Sequence, residues 1–250
     1  MASKFYVVWA GRETGIFTDW PTCKKQVDGF VGARYKSFLT REEAEAAFGS
    51  AKPTAGTGRA APSGNKIKTY NAAEVNALPQ QVKIFTDGGC EPNPGEAGSG
   101  VAVYCDNKLT ELWFGLYNPN GTNNTAELNA LHQGLLIAQG EVARGKTAVV
   151  FSDSQYAIQC VTIWAIGWEK AGWKKKGGEI KNLELIQSIY ALYQQLKDKV
   201  QVLHVNGHVG LQGNELADRM SILAIESREA DFALYREPLD IPAILATRAG

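Results

Sequence analysis

The sequence predicts an α/β protein, a mixed sheet with helices on its faces, preceded by a small α+β module. Three observations predict it. From residue 81 onward, segments of period 2 and period 3.6 follow one another in the order βββαβα(α)βα. Residues 50–69, SAKPTAGTGRAAPSGNKIKT, are nearly devoid of large apolar side chains and break the chain in two. Ahead of that break, short strands carry their own turn and cap signals. The expected boundaries are a module at 1–49, a flexible linker at 50–80, a main domain at 81–226 and a tail at 227–250.

In the module, Phe5 to Trp9 reads as a strand, GRETG at 11–15 turns the chain, and Ile16-Phe17 starts the return strand. Asp19 is placed to cap a helix that takes Pro21 in its first turn. RYKSF at 34–38 reads as a third strand, and Thr40 with Glu43 forms a capping box for a last helix ending near Gly49. After the linker, YNAAEVNALP at 70–79 has the makings of a short helix. The main domain opens with strands at 82–87, 101–104 and 112–116. Leu128, Leu131 and Leu135 then mark one face of a helix. TAVVFSD at 147–153 is a strand of buried type, followed by helices near 154–165 and 182–197. A strand at 200–205 leads to a final helix with Leu216, Met220 and Leu223 facing inward. The tail, SREADFALYREPLDIPAILATRAG, matches no pattern and is expected to pack loosely, with Phe232, Leu234, Ile241 and Ile244 available to dock on the domain or on a partner.

Composition narrows the function. With 44% hydrophobic and 21% charged residues, the chain resembles ordinary soluble domains. It has no apolar run long enough to span a bilayer and no signal-peptide pattern at its start, so a cytoplasmic protein is expected. Four scattered cysteines, none in a CxxC, exclude a disulfide framework and a cysteine-rich zinc site. The net charge of zero is uneven. Residues 1–48 carry seven basic and six acidic side chains, residues 49–80 four and one, and residues 81–250 fifteen and nineteen. Local patches, not total charge, must therefore point to any polyanionic partner.

Four acids stand at element ends. Asp87 closes the first strand of the main domain before Gly88-Gly89, and Asp153 closes a later one. Glu127 lies in the first turn of a helix and Asp218 in the first half of the last helix. Each alone reads as a cap or a dipole partner; together they can converge where mixed sheets gather ligands. Converging carboxylates suit Mg²⁺ or Mn²⁺, because hard cations prefer oxygen. Two such ions can activate water and stabilise the leaving oxygen of a phosphodiester. His204 and His208 have HxxxH spacing, but no CxxC accompanies them to complete a zinc site. His204 reads as a strand residue and His132 as a helix-surface one, while His208, in a loop ten residues before Asp218, can shuttle protons.

These residues together resemble the type 1 ribonuclease H family. The motifs are FTDGGC (85–90) with EPNPG (91–95), TNNTAEL (122–128), FSDSQY (151–156) and GHVGLQGNELAD (207–218). The segments FYVVWAGRETGIF (5–17) and ARYKSF (33–38) resemble the family's N-terminal hybrid-binding domain. The resemblance implies a ribonuclease H-like mixed five-stranded sheet with flanking helices, plus a small α+β hybrid-binding domain. It implies hydrolysis of the RNA strand of RNA–DNA hybrids by two Mg²⁺ ions, with Mn²⁺ a substitute, leaving 5′-phosphate and 3′-hydroxyl ends. Asp87, Glu127, Asp153 and Asp218 become the metal ligands, and His208 a proton carrier. Cys90, Asn93, Asn123 and Asn124 match minor-groove contacts. Thr122 and Asn182 match a pocket for a DNA phosphate, beside which Asn120 replaces an arginine of some relatives. Trp164, in the tryptophan- and lysine-rich stretch 164–176, matches the DNA-strand channel, while Trp168 and Trp173 are expected to pack. In the module, Tyr6, Trp20, Tyr35 and Lys36 match hybrid contacts, with Ser37 where relatives often have lysine; Trp20 reads equally as a core residue. The expected partner is the hybrid duplex, bound by a monomer without organic cofactor. The competing readings are a non-catalytic hybrid- or double-stranded-RNA-binding protein and a strand-transfer enzyme of the same fold.

Overall fold

The computed structural model describes residues 5–28, 30, 33–38, 40–41, 44–45, 48, 67–175, 177–207 and 210–250. Glu43 and Gly49, expected to cap and end a helix, lie outside these residues, as do His208 and positions 50–66 of the expected linker. The chain divides into two compact units, Met1–Gly64 and Asn65–Gly250.

In the first unit, β1 (Phe5–Ala10) is the central strand of an antiparallel sheet, flanked by β2 (Gly15–Phe17) and β3 (Arg34–Phe38). Helix α1 (Trp20–Val27) starts where expected: the Asp19 carboxylate accepts the Thr22 N–H at 2.8 Å, and Pro21 occupies the first turn. Its Cys23 and Val27 pack against Val8 to form the core.

The second unit is built on a seven-stranded sheet in the order β10-β7-β6-β5-β8-β9-β4. Its centre is the set of five strands read from the sequence: β5 (Val82–Glu91), β6 (Gly95–Cys105), β7 (Lys108–Gly121), β8 (Ala148–Ser152) and β9 (Val200–Val205). β5, β6 and β7 pair antiparallel, whereas β8 and β9 continue parallel from β5. Two short strands correct the expected count of five. β4 (Thr69–Tyr70) pairs parallel with β9, and β10 (Phe232–Leu234) pairs antiparallel with β7. Positions 67–80, within the expected linker bounds, thus belong to the sheet unit, where the short helix expected in 70–79 forms as α2 (Ala72–Ala77) after β4 with an Asn71–Glu74 capping box. The tail, expected to pack loosely, docks on this unit through residues named as available for docking. Phe232 stacks on Trp113 at 5.6 Å, and α8 (Ile241–Leu245) buries Ile244.

Alternation along the strands fills two helical layers. Val82, Ile84, Val101 and Val150 meet α3 (Asn123–Ala143), α4 (Gln155–Gln159), α5 (Ala165–Lys170) and α6 (Leu183–Leu196). Phe85, Ala102, Val149 and Phe151 meet α2, α7 (Gln212–Ser227) and α8. Between α4 and α5 lies a π-helical turn, Cys160–Trp164, so the helix expected to stop near 165 continues to Lys170. No described helix is long and apolar enough to cross a membrane.

Candidate active site

The register of the sheet brings the acids together. Thr86 pairs with Ser152 across β5 and β8, so Asp87 and Asp153 come next on adjacent parallel strands. Gly88 then passes α3 so closely that a Cβ there would lie 2.2 Å from the Glu127 nitrogen. Only glycine permits this approach, which places Glu127 over Asp87; Asp87 itself lies within β5, not at its end as expected, because the pairing with β6 continues to Glu91. Opposite Asp87 in β6 stands Gly100, whose own Cβ would meet the Ala217 carbonyl at 2.1 Å, one residue before Asp218. Asp87, Glu127, Asp153 and Asp218 therefore line one cavity of about 380 Å³, with Cys90 and Asn123 at its side.

Each acid has distinct partners. Burial raises the Asp87 carboxyl well above its ordinary range, and the charges of Asp153, Asp218 and Glu127 raise it further. Only the Gly88 N–H, donating to it at 2.7 Å, opposes this. Burial also pushes Glu127 up to about 7, against the Ser154 hydroxyl and the Asn123 amide, which both donate to it. Asn214 donates to Asp153 at 3.1 Å. Arg219 and the Gly250 N–H donate to Asp218.

Among the described residues, no three Asp, Glu, His or Cys side chains form a ready-made ion cage. The donor set nevertheless fits a hard divalent cation. It consists of carboxylate oxygens, and the crowding that raises Asp87 is relieved by positive charge among the four.

The expected substrate contacts fall into two groups beside this cavity. In one, the Cys90 thiol donates to the Pro92 and Gly121 carbonyls at 3.3 and 3.6 Å, and the Asn93 amide oxygen accepts the Asn123 N–H at 3.3 Å. Asn124 is exposed nearby on the first turn of α3. In the other, Thr122 caps α3 and shares a 2.8 Å hydroxyl contact with Thr125, which donates to Asn182 at 3.1 Å. Thr125 and Asn182 line a cavity of about 790 Å³ with Lys174 and Lys175. Asn120 is exposed and donates its N–H to the Asn118 side chain. Trp164 remains 37% exposed between Tyr156 and Trp168, whereas Trp168 and Trp173 pack on the core as expected. His132 is half buried, not on the helix surface, and burial lowers its pKa. His204 is a buried strand residue, held between Thr69 and the Asp153 carbonyl.

Within the small unit, Trp20 lies between Tyr6 at 5.5 Å and Tyr35 at 5.8 Å. At 41% exposure Trp20 is no core residue, and Tyr35 is exposed beside it. Lys36, also exposed, lies over the Phe38 ring. Sequence reasoning missed Thr125, Ser154, Asn214, Lys174 and Lys175 as individual site residues. All five lay inside quoted segments, TNNTAEL, FSDSQY, GHVGLQGNELAD and 164–176, and for the first two a hydroxyl beside an expected ligand or cap was the available signal.

A family model described as RNase H matches residues 79–226, and one described as Ribonuclease H1 N-terminal domain matches residues 4–48. Ribonuclease H1 of Mus musculus is 30% identical over 254 residues, covering 87% of either chain. Ribonuclease H of Rhodopirellula baltica is 36% identical over 160 residues, covering 62% of this chain and 96% of its own. Among solved structures, LC9-RNase H1, a type 1 RNase H with the type 2 active-site motif, aligns with a TM-score of 0.52 at 25% identity. That alignment covers 68% of this chain and 83% of the other. A mixed sheet with helices on both faces and an acidic cavity at its strand ends defines a nuclease of ribonuclease H-like fold. The chain belongs to the RNase H family, as an enzyme with the Ribonuclease H1 type of N-terminal domain.

Proposed function

We propose that this enzyme hydrolyses the RNA strand of RNA–DNA hybrids by a two-metal-ion mechanism. The observation that carries the reading is the single cavity lined by Asp87, Glu127, Asp153 and Asp218 beside Cys90 and Asn123. The four carboxylates would hold two Mg²⁺ ions, or Mn²⁺ in their place. Bound there, the ions supply charge stabilisation of the scissile phosphate and a more acidic water, leaving 5′-phosphate and 3′-hydroxyl ends. Ser154 and Asn123 orient Glu127, and Asn214 orients Asp153. Cys90, Asn93, Asn123 and Asn124 bind the minor groove, where 2′-hydroxyls distinguish RNA from DNA. Thr122 and Asn182, with Lys175 adjacent to the latter, grip a phosphate of the DNA strand, and Trp164 lines its path. His208 carries a proton at the reacting phosphate. Tyr6, Trp20, Tyr35 and Lys36 of the small unit bind the hybrid independently. We take the enzyme to act as a monomer, and the four free thiols suit a reducing compartment such as the cytoplasm.

The test is a cleavage assay on labelled RNA–DNA hybrid, duplex RNA, duplex DNA, and single-stranded RNA and DNA, each with Mg²⁺, Mn²⁺ or EDTA. Cutting confined to the RNA of the hybrid and lost in EDTA is expected. In Asp153→Asn, cleavage should vanish while hybrid binding persists. Tight hybrid binding without any cutting by the wild type would replace this reading with that of a binding protein.

A further inference from the structure

Residues 248–250 reach the acidic cavity. Helix α8 is anchored by buried Ile244, by the Asp240 cap and by Arg219, whose guanidinium spans from Asp218 to the Leu245 carbonyl. Beyond α8 the chain reaches the site itself. Arg248, Ala249 and Gly250 line the same cavity as the four acids. The Gly250 N–H lies 3.1 and 3.3 Å from the two carboxylate oxygens of Asp218, and a Cβ on Gly250 would fall 2.7 Å from one of them. Arg248 pairs with Glu91, the residue between Cys90 and the Pro92-Asn93 turn.

Two chemistries therefore meet the same atoms. A donor on both Asp218 oxygens satisfies the charge that a divalent cation would neutralise. An arginine on Glu91 covers the edge along which a groove would lie. The attachment is also graded: Ile244 of α8 is buried, whereas the Arg248–Glu91 pair is exposed on both sides and hence weak. A firm hinge with a weak latch is the arrangement of a strap that opens.

We propose that residues 248–250 form an autoinhibitory strap, competing with the divalent cation for Asp218 and with the hybrid for the edge at Glu91. This rests on the cation and hybrid reading of the same cavity. Mg²⁺ must then bind with an affinity reduced by the fraction of molecules whose strap is open. The double variant Arg248→Ala/Gly250→Pro removes the latch and the donating N–H without touching a carboxylate.

The deciding measurement is a calorimetric Mg²⁺ titration of wild type and double variant without nucleic acid, after melting curves in EDTA confirm that both fold. The dissociation constant should fall about threefold or more in the variant, which corresponds to a strap docked about two-thirds of the time. The KM for hybrid should fall with it, at unchanged kcat under saturating Mg²⁺. Unchanged Mg²⁺ affinity overturns the strap, and weaker affinity overturns it by making the tail part of the binding site. A wild type that binds no Mg²⁺ overturns the cation reading itself and the strap with it, so the wild-type curve and the variant ratio report separately.

Discussion

Glu127 is held at a protonation equilibrium near 7 because burial outweighs the donors of Ser154 and Asn123. Asp87 is shifted in the same direction, by burial first and by its acidic neighbours second. Both folded-state values lie above those of the unfolded chain, so folding takes up protons and stability falls as pH rises. For Glu127 the loss runs from about 4.5 to about 7 and is complete above that window. Its size is of order 3 kcal/mol, from 1.36 kcal/mol per pH unit. A divalent cation among the carboxylates reverses this penalty only where they are ionised. The Tm gain on adding Mg²⁺ should therefore be several degrees larger at pH 8 than at pH 5. Asp87→Asn should raise Tm at pH 8 in EDTA and lose most of the Mg²⁺ gain. Equal gains at the two pH values would refute the assignment of this strain to the cation site.

At the scale of elements, β4 connects the edge of the sheet to the acidic cavity. His204 on β9 contacts the Asp153 carbonyl through Nε2 at 3.0 Å and the Thr69 hydroxyl through Nδ1 at 2.8 Å. A carbonyl only accepts, so Nε2 carries the proton and, in the neutral ring, Nδ1 accepts from Thr69. Thr69→Val should cost about 1 kcal/mol of stability by denaturant titration. It should also lower kcat more than it changes KM, because His204 orients the backbone of Asp153; an unaltered kcat would confine Thr69 to a structural part. Neither Thr69 nor His204 was legible as a pair, since 135 residues separate them and no periodicity links such contacts. The same holds for Asn214 and Asp153, 61 residues apart. What the sequence did reveal was local. Short apolar runs marked β5 and β8, the Leu128–Leu131–Leu135 face marked α3, and Asp153 stood at the end of β8, whereas β5 runs on past Asp87 to Glu91 because it stays paired with β6. β4 and β10 were missed because two or three residues carry no readable period, and each is fixed by pairing with a distant strand. The π-helical turn at Cys160–Trp164 likewise leaves the apolar pattern of its helix almost unchanged.

In the whole molecule, two units have separate cores and separate aromatic or acidic surfaces, joined through a segment of basic composition. The sheet unit carries every carboxylate of the candidate site, so chemistry requires nothing from the first unit. That unit offers exposed Trp20 and Tyr35 with Lys36, a surface suited to a sugar–phosphate backbone. Tethering converts a second encounter with the same duplex into an intramolecular one, which raises affinity without altering the cleavage step. Deleting residues 1–49 should therefore leave kcat at saturating hybrid within about twofold while raising KM about tenfold at moderate salt, on the scale of tethered gains. The gap should narrow at low salt, where the sheet unit alone binds phosphates strongly. Trp20→Ala with Tyr35→Ala in the full chain should reproduce the KM effect, which separates loss of the aromatic surface from loss of the unit's bulk. Equal KM and equal numbers of cuts per encounter in the deleted and full-length proteins would show that the first unit does not hold the hybrid for the second.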